Sequence, residues 1–280
     1  MLTLKRFTCF LGVILLSGCS FTFVYNHIDW WINWYVDDYV DLNKSQQRSF
    51  DQVIETNLAW HRQTQLPKYA DDLRAFRKDV EQGISLEQLT HHNQKLRAHW
   101  RVLLSHLAPQ LEPIAYSLTA KQRKQLVDAI ARQNQEIRED REELSKEEWF
   151  NKRYEDYYDG FKEWFGPLTK AQKQSLREKV TGLTSTFSYW IDFRDLWLEK
   201  FDSLLSKDIE RHIFTSVFLD LVVHGREYRQ DEHKQLAQEN NAVYLTMLHY
   251  QLNNMTDKQK KKFFRKLDRY LDDFKELSEE

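Results

Sequence analysis

The amino-acid sequence predicts an all-α protein, a multi-helix bundle of about ten helices. Only seven glycines and four prolines occur in 280 residues, too few for the many turns of a sheet protein. Aromatic and apolar side chains recur at steps of three and four residues, from Phe150 to Trp164 and again from Phe187 to Leu204. This spacing is typical of helices that place one face in a core.

One signature begins four of the predicted helices: an apolar residue, then a capping residue, then Gln three residues after the cap. In such a capping box the side chain of the capping residue accepts a hydrogen bond from a backbone N–H of the first helical turn. The Gln side chain in turn accepts one from the backbone N–H of the capping residue. Two further boxes pair Ser85 with Gln88 and Ser145 with Glu148. The four copies, starting at Leu42, Leu118, Leu168 and Met255, pair Asn43 with Gln46, Thr119 with Gln122, Thr169 with Gln172, and Thr256 with Gln259.

Between these starts, the apolar periodicity places helices along most of the chain. Gly166-Pro167 is the best hinge between two halves of an otherwise single helical domain spanning residues 24–280. The predicted helices cover roughly 24–41, 44–65, 68–81, 85–107, 119–143, 145–165, 169–204, 207–224, 230–253 and 256–277.

The beginning of the chain has the pattern of a secretory signal. Lys5 and Arg6 precede an apolar run that rises only about 15 Å as a helix, half of the bilayer core. Leu16-Ser17-Gly18-Cys19 resembles the bacterial lipobox. The resemblance implies a signal peptide at 1–18 and a lipidated N-terminus at 19–23, with diacylglycerol and an N-acyl chain such as palmitate on Cys19. Ser20, where Asp would signal inner-membrane retention, implies sorting to the outer membrane of a Gram-negative cell, on its periplasmic side.

Cleavage before Cys19 would leave 39 basic and 43 acidic residues, a net charge of −4. It would also remove Cys9, so that no disulfide could form within the mature chain and stability would depend on packing. The predicted compartment excludes nucleic acid as a partner.

Aromatic residues follow the predicted anchor at once, where a polar tether would be usual. Tyr25, Trp31 and Trp34 cover more than one side of a helix, which favours a helix packed centrally by later helices. The alternative is that Trp30, Trp31 and Trp34 lie in the headgroup belt of the membrane.

Signatures of catalysis are missing from the sequence. His92, His99 and His106 lie about 10.5 Å apart along a helix and cannot share one zinc ion. There is no G-x-S-x-G and no Gly-rich phosphate loop. The acids Asp156 with Asp159, and Asp192 with Asp195, share helix faces as the acids of a hydrolase would, although 43 acids supply such pairs by chance. We therefore expect no enzyme, no metal and no cofactor beyond the lipid.

A basic cluster occupies the start of the last predicted helix. We expect a solvated face that pairs with Asp268, Asp272 and Asp273; the alternative is a contact for anionic lipid headgroups, lipopolysaccharide phosphates or an acidic partner. Its members are Lys258, Lys260, Lys261, Lys262, Arg265 and Lys266.

Two resemblances bear on function. Leu118-Thr119-x-x-Gln122 and Leu168-Thr169-x-x-Gln172 resemble the L-T-x-x-Q motifs of the Spy and CpxP group, which are helical periplasmic chaperones that hold unfolded clients without ATP. Over its whole length, and in YNHIDWWINWYVDDYVDLNKSQ above all, the chain resembles a family of proteobacterial lipoproteins catalogued as domain of unknown function 6279.

Together these features predict a non-catalytic lipoprotein that acts as a protein-binding scaffold or holdase-like chaperone of the cell envelope. The alternatives are an envelope hydrolase with acids in a helical cleft, or a protein that contacts lipid or lipopolysaccharide. The expected partners are the membrane, through the anchor, and envelope proteins.

Overall fold

A computed structural model describes residues 21–141, 144–206 and 209–280. The described residues form helices joined by short turns, and no strand occurs among them; the all-α prediction is confirmed. Cys19 and the predicted signal peptide lie outside these residues. The chain divides into two compact units. Among the described residues, the first unit contains those within 21–63, 99–141 and 187–230, and the second contains those within 64–98, 144–186 and 231–280.

The helices follow one another with few intervening residues. A π-helical turn covers His61–Gln65, and a 3-10 turn covers Gly225–Tyr228. In chain order the α-helices are α1 (Phe21–Asn26), α2 (Ile28–Asp37), α3 (Lys44–Trp60), α4 (Leu66–Gln82), α5 (Leu86–Tyr116), α6 (Ala120–Glu139), α7 (Lys146–Phe165), α8 (Lys170–Val180), α9 (Phe187–Ser206), α10 (Arg211–Val223), α11 (Asp231–Asn253) and α12 (Asp257–Glu279).

The core of the first unit forms where α9 and α10 meet. Each helix contributes large side chains at steps of three and four residues, as the periodicity predicts. An ion pair also joins α5 to α10: the buried Glu112 binds Arg211 at 2.6 Å. The buried residues are Phe201, Leu204, Leu205, Phe214, Phe218 and Leu221.

The second unit has a larger core to which each of its helices contributes. Tyr154 and Phe161, from the predicted aromatic stripe of α7, are buried in it. Gly83, which ends α4, and Gly166, which ends α7, have φ values of 88° and 85°, a conformation that other residues rarely adopt. Further members of this core include Leu89, Leu176, Val180, Met247, Leu252, Phe263 and Leu267.

The predicted helix 169–204 is wrong, because the chain leaves the helical conformation at Thr181 and resumes it at Phe187. The Asn240 side chain binds both the N–H and the C=O of Thr184, at 2.8 and 2.7 Å. Gly182 and the residues Thr184–Thr186 are poor helix formers, so the backbone takes these side-chain partners instead of helical ones.

Two other predicted boundaries are also wrong. Helix α5 continues through Pro109 and Pro113 to Tyr116, where Asn57 and Gln110 exchange two hydrogen bonds of 2.9 and 3.0 Å; tertiary contacts here override the proline signal. The first predicted helix is broken between α1 and α2, because the His27 ring donates to the Phe23 carbonyl at 2.8 Å.

The division of the chain differs from the one that the sequence indicates. Gly166 lies inside the second unit, whereas the boundaries between units fall near residues 63, 98, 141, 186 and 230. No glycine or proline marks these positions. Two of them fall within continuous helical segments, the π-helical turn and α5, and local sequence carries no signal there.

Candidate functional site

Helix α1 is attached to the end of α3 by polar contacts within the first unit. The hydroxyl of the buried Tyr25 is hydrogen-bonded to His61 Nδ1 at 2.7 Å. Arg62 donates to the side chain of Asn26, also at 2.7 Å. Burial lowers the pKa of His61 below its ordinary value, so the neutral ring is favoured near pH 7.

Helix α2 is attached to α3, and Tyr39, two residues after α2, is attached to α6. Gln47 donates to Asn33 at 2.7 Å, and Gln133 donates to the Tyr39 hydroxyl at 2.7 Å. Tyr35 and Tyr39 share a further hydrogen bond of 2.7 Å. Burial raises the pKa of Tyr39, and the bond with Tyr35 adds to that effect, so this hydroxyl keeps its proton.

A polar network continues from Gln133 into α9. Arg194 donates to Gln133 at 2.8 Å and to Asn134 at 2.7 Å. Asn134 donates to Asp195 at 2.9 Å, and Asp195 forms an ion pair with Arg138. Sequence reasoning missed this network. Its only local signal is a pair of adjacent amides in the middle of α6, and their partners lie about 60 residues away.

The aromatic side chains of α1 and α2 form the aromatic face, which consists of Phe23, Trp30, Trp31 and Trp34. Phe23 and Trp30 are each 58% exposed, and Trp34 is 37% exposed. The Trp31 ring centroid lies 4.6 Å from that of Trp30 and 6.1 Å from that of Trp34. No residue of α2 is buried. The prediction that later helices pack around this segment is therefore wrong, because polar contacts on one side hold it at the surface.

The first two copies of the capping signature meet in the first unit. Both boxes are present, at the starts of α3 and α6. The Gln46 and Gln122 amides also bind each other, with bonds of 3.2 and 2.7 Å. Gln122 donates to the Asp41 carbonyl at 2.7 Å, and Gln46 donates to the Ser117 carbonyl at 3.0 Å. Each Gln thus binds the carbonyl that immediately precedes the other copy.

The last two copies repeat this arrangement in the second unit. Both boxes are present, at the starts of α8 and α12. The Gln172 and Gln259 amides bind each other with bonds of 3.2 and 2.9 Å. Gln172 donates to the Asn254 carbonyl at 3.1 Å, and Gln259 donates to the Pro167 carbonyl at 2.9 Å. The motif therefore ties two helix starts together in each unit, besides capping them.

Two members of the predicted basic cluster pack against α7. Lys262 donates to the Lys162 carbonyl at 3.2 Å, and Lys266 forms an ion pair with Glu163. Burial lowers the pKa of Lys262, and the neighbouring Lys266 lowers it further. The other four members of the cluster, Lys258, Lys260, Lys261 and Arg265, are exposed.

The pairing expected for the basic cluster differs in the structure. Asp268 binds Arg77 of α4 at 2.7 Å rather than a member of the cluster, because α12 packs beside α4. The basic cluster at the start of α12 therefore lacks Asp268, one of the three carboxylates expected to pair with it.

Four of the residues considered for hydrolysis or metal binding have other partners. Asp156 forms an ion pair with Arg153 at 2.6 Å, as Asp195 does with Arg138. His92 binds Asp79 at 2.8 Å, and His106 stacks on Trp60 at 3.6 Å. Within residues 21–141, 144–206 and 209–280, no group of three His, Cys, Asp or Glu side chains is placed to hold a metal ion.

A cleft of about 410 Å³ lies between α7 and α8 in the second unit. Phe150, Tyr154 and Val180 contribute apolar surface, and Arg177 lies over the Tyr154 ring at 4.1 Å. Arg177 also donates to Asn151 at 3.3 Å. None of the site residues predicted from the sequence lines this cleft. None of the helices in the described segments is both long and apolar enough to cross a membrane.

Comparison with known proteins places the chain in a family without assigning it an activity. No curated protein and no solved structure matches it. A family model does match, over residues 38–232, which is more than half of the chain and extends from the end of α2 to the beginning of α11. The chain belongs to the Family of unknown function (DUF6279).

Proposed function

We propose that the chain is a lipoprotein of the Gram-negative outer membrane that faces the periplasm and binds other proteins without catalysis. In this proposal diacylglycerol and an N-acyl chain on Cys19 hold it at the membrane. The helical body acts as a holdase-like chaperone or scaffold for envelope proteins. The observation that carries the binding role is a set of large apolar side chains exposed on the helices of the body.

In the first unit, α10 has apolar residues on two adjacent faces, one buried and one exposed. Phe214 and Phe218 are buried in the core, whereas Ile213 and Val217 are 44% and 38% exposed. These two exposed residues are one turn apart and therefore neighbours on the helix surface. Adjacent exposed apolar side chains are typical of a binding surface, because a monomer gains nothing from leaving them in water.

The second unit also exposes apolar side chains, at Leu86 and Leu96 of α5, the latter with 68% of its surface in water. Paired capping boxes join helix starts within each unit, and two of these starts carry the L-T-x-x-Q motif that resembles that of the Spy and CpxP group. An unfolded client with apolar side chains is the class of partner that fits such surfaces, since burial of apolar area would drive the contact.

The test is an aggregation assay with the soluble chain that lacks residues 1–19. We expect it to slow the aggregation of a chemically denatured client, and the double variant Ile213→Ser, Val217→Ser to be less effective. The matched control is His212→Ser with Ser216→Ala, which changes the exposed polar residues of the same helix. No suppression by the wild-type chain at several-fold excess would refute the holdase role.

The anionic contact is a second candidate function, favoured by the crowding of cations around Lys262. It predicts binding to anionic vesicles that weakens as salt rises and that is lost in the variant Lys260→Glu, Lys261→Glu. Binding that is indifferent to salt would refute it.

A further inference from the structure

We propose that the aromatic face lies in the headgroup region of the phospholipid leaflet that carries the anchor. This inference rests on the proposed lipidation of Cys19. It adds a second, non-covalent membrane contact and gives the first unit one orientation at the bilayer.

The face is a fixed surface. Tyr25 of α1 binds His61, Asn33 of α2 binds Gln47, and Tyr39, just after α2, binds Gln133. Neither helix can therefore rotate its aromatic side chains inward without breaking these bonds. Trp31 packs edge-on against Trp30 and Trp34, so the three indoles form one continuous patch.

The position of the face in the chain indicates what covers it. Phe21, the first residue of α1, is two residues after Cys19, and two residues span at most about 7 Å. A cysteine with acyl chains lies at the membrane surface. The start of α1 must then lie within about 7 Å of that surface, because no tether separates them.

The chemistry of the face fits a phospholipid headgroup layer. Trp is enriched at this depth, where its ring is in an apolar environment and its N–H can still find a partner. Asp29, Asp37 and Asp38 are exposed around the indoles and would be repelled by anionic lipid. The face is therefore suited to zwitterionic headgroups such as phosphatidylethanolamine, and its contact should not weaken as salt rises.

The experiment places a fluorescent label at single cysteines of the full-length, cell-processed protein in phosphatidylethanolamine-rich vesicles. After lipidation of Cys19 and loss of Cys9, an introduced cysteine is the only free thiol. The variants Trp30→Cys and Trp34→Cys report on the face. The control is Lys124→Cys, whose side chain is 76% exposed on α6, the helix that binds Tyr39 just after α2. We expect an environment-sensitive dye to shift to shorter wavelengths at 30 and 34, and to be quenched there by headgroup-level quenchers, but not at 124.

Mass spectrometry of the same samples separates the two proposals. If Cys19 carries lipid but the label at position 30 behaves like the label at position 124, the lipid anchor is supported and the membrane contact of the aromatic face is refuted. If Cys19 carries no lipid, the anchor is refuted and the face is judged by adding the unlipidated protein to vesicles. In that case we expect the unlipidated protein to partition into the vesicles, with a partition constant at least about tenfold lower in the variant Trp30→Ser, Trp34→Ser. If the unlipidated protein does not partition into the vesicles, the proposed membrane contact of the aromatic face is refuted. A shift that depends on protein concentration and needs no vesicles would mean that a second copy covers the face, and would also overturn the inference.

Discussion

The amide pair between Gln172 and Gln259 tests whether the repeated motif does more than begin helices. Two hydrogen bonds of 3.2 and 2.9 Å join the two side chains. Both residues are buried, and each also donates to a backbone carbonyl before the other's helix. If they acted only as caps, replacing both with alanine would cost the sum of the single replacements.

The magnitude follows from the bonds that each replacement removes. Gln172→Ala loses its part of the capping box, worth about 1 kcal/mol, and its bond to the Asn254 carbonyl, worth about 1 kcal/mol. It also loses the two amide–amide bonds, together about 2 kcal/mol. The total is about 4 kcal/mol, and Gln259→Ala should cost the same. The double replacement loses the shared bonds once and should cost about 6 kcal/mol, which leaves a coupling of about 2 kcal/mol.

The assay is urea unfolding of the wild type, both single variants and the double variant, with each observed transition fitted separately because the chain contains two compact units. The control is Gln174→Ala, an exposed residue of the same helix whose side chain donates to Glu178 at 3.0 Å; it should change stability by less than about 0.5 kcal/mol. Additivity of the Gln172 and Gln259 replacements within about 0.5 kcal/mol would refute the role of the motif as a cross-link.

Three further predictions concern the first unit and are read by thermal melting. Trp30→Ser should change the free energy of unfolding by less than about 0.5 kcal/mol because the ring is exposed, whereas a loss of about 3–5 kcal/mol would mean that the ring belongs to a core. Because burial lowers the pKa of His61 from 6.5, the unfolded chain binds more protons below pH 6.5, so stability should fall as pH drops through this value toward the lower folded-state pKa. In His61→Gln that dependence should be shallower, and an unchanged slope would contradict the assignment. Gly225→Ala would bring a Cβ within 3.0 Å of Trp197 Nε1 and should cost about 1–3 kcal/mol; a neutral result would show that the indole moves aside freely.

The parts of the fold that the sequence predicted are those governed by local rules. The capping boxes at Asn43, Thr119, Thr169 and Thr256 are present because each is completed within one turn of helix. The aromatic stripe of α7 is buried at Tyr154 and Phe161 as its period predicts. Periodicity and capping need no knowledge of the rest of the chain.

The parts that could not be predicted depend on residues distant in sequence. The pairing of Gln46 with Gln122 joins residues 76 positions apart. The sequence of neither copy indicates which other copy it will bind. The break after Val180 depends on Asn240, and the continuation of α5 past Pro109 depends on Asn57.

The aromatic face was misassigned for the same reason. A stretch rich in Trp and Tyr is compatible with a buried helix, and only the contacts of Tyr39 and Asn33 show which side is held. The side that remains exposed could then be identified from the structure alone.

We propose that residue 19 carries the protein's membrane anchor, immediately before a folded body. The most direct test is mass spectrometry of the N-terminal peptide from protein isolated from the envelope of the cell that makes it. We predict a chain that begins at Cys19 and bears a diacylglyceryl thioether and an acylated amino group. A peptide that retains residues before Cys19, or a free thiol at that position, would refute the proposed anchor.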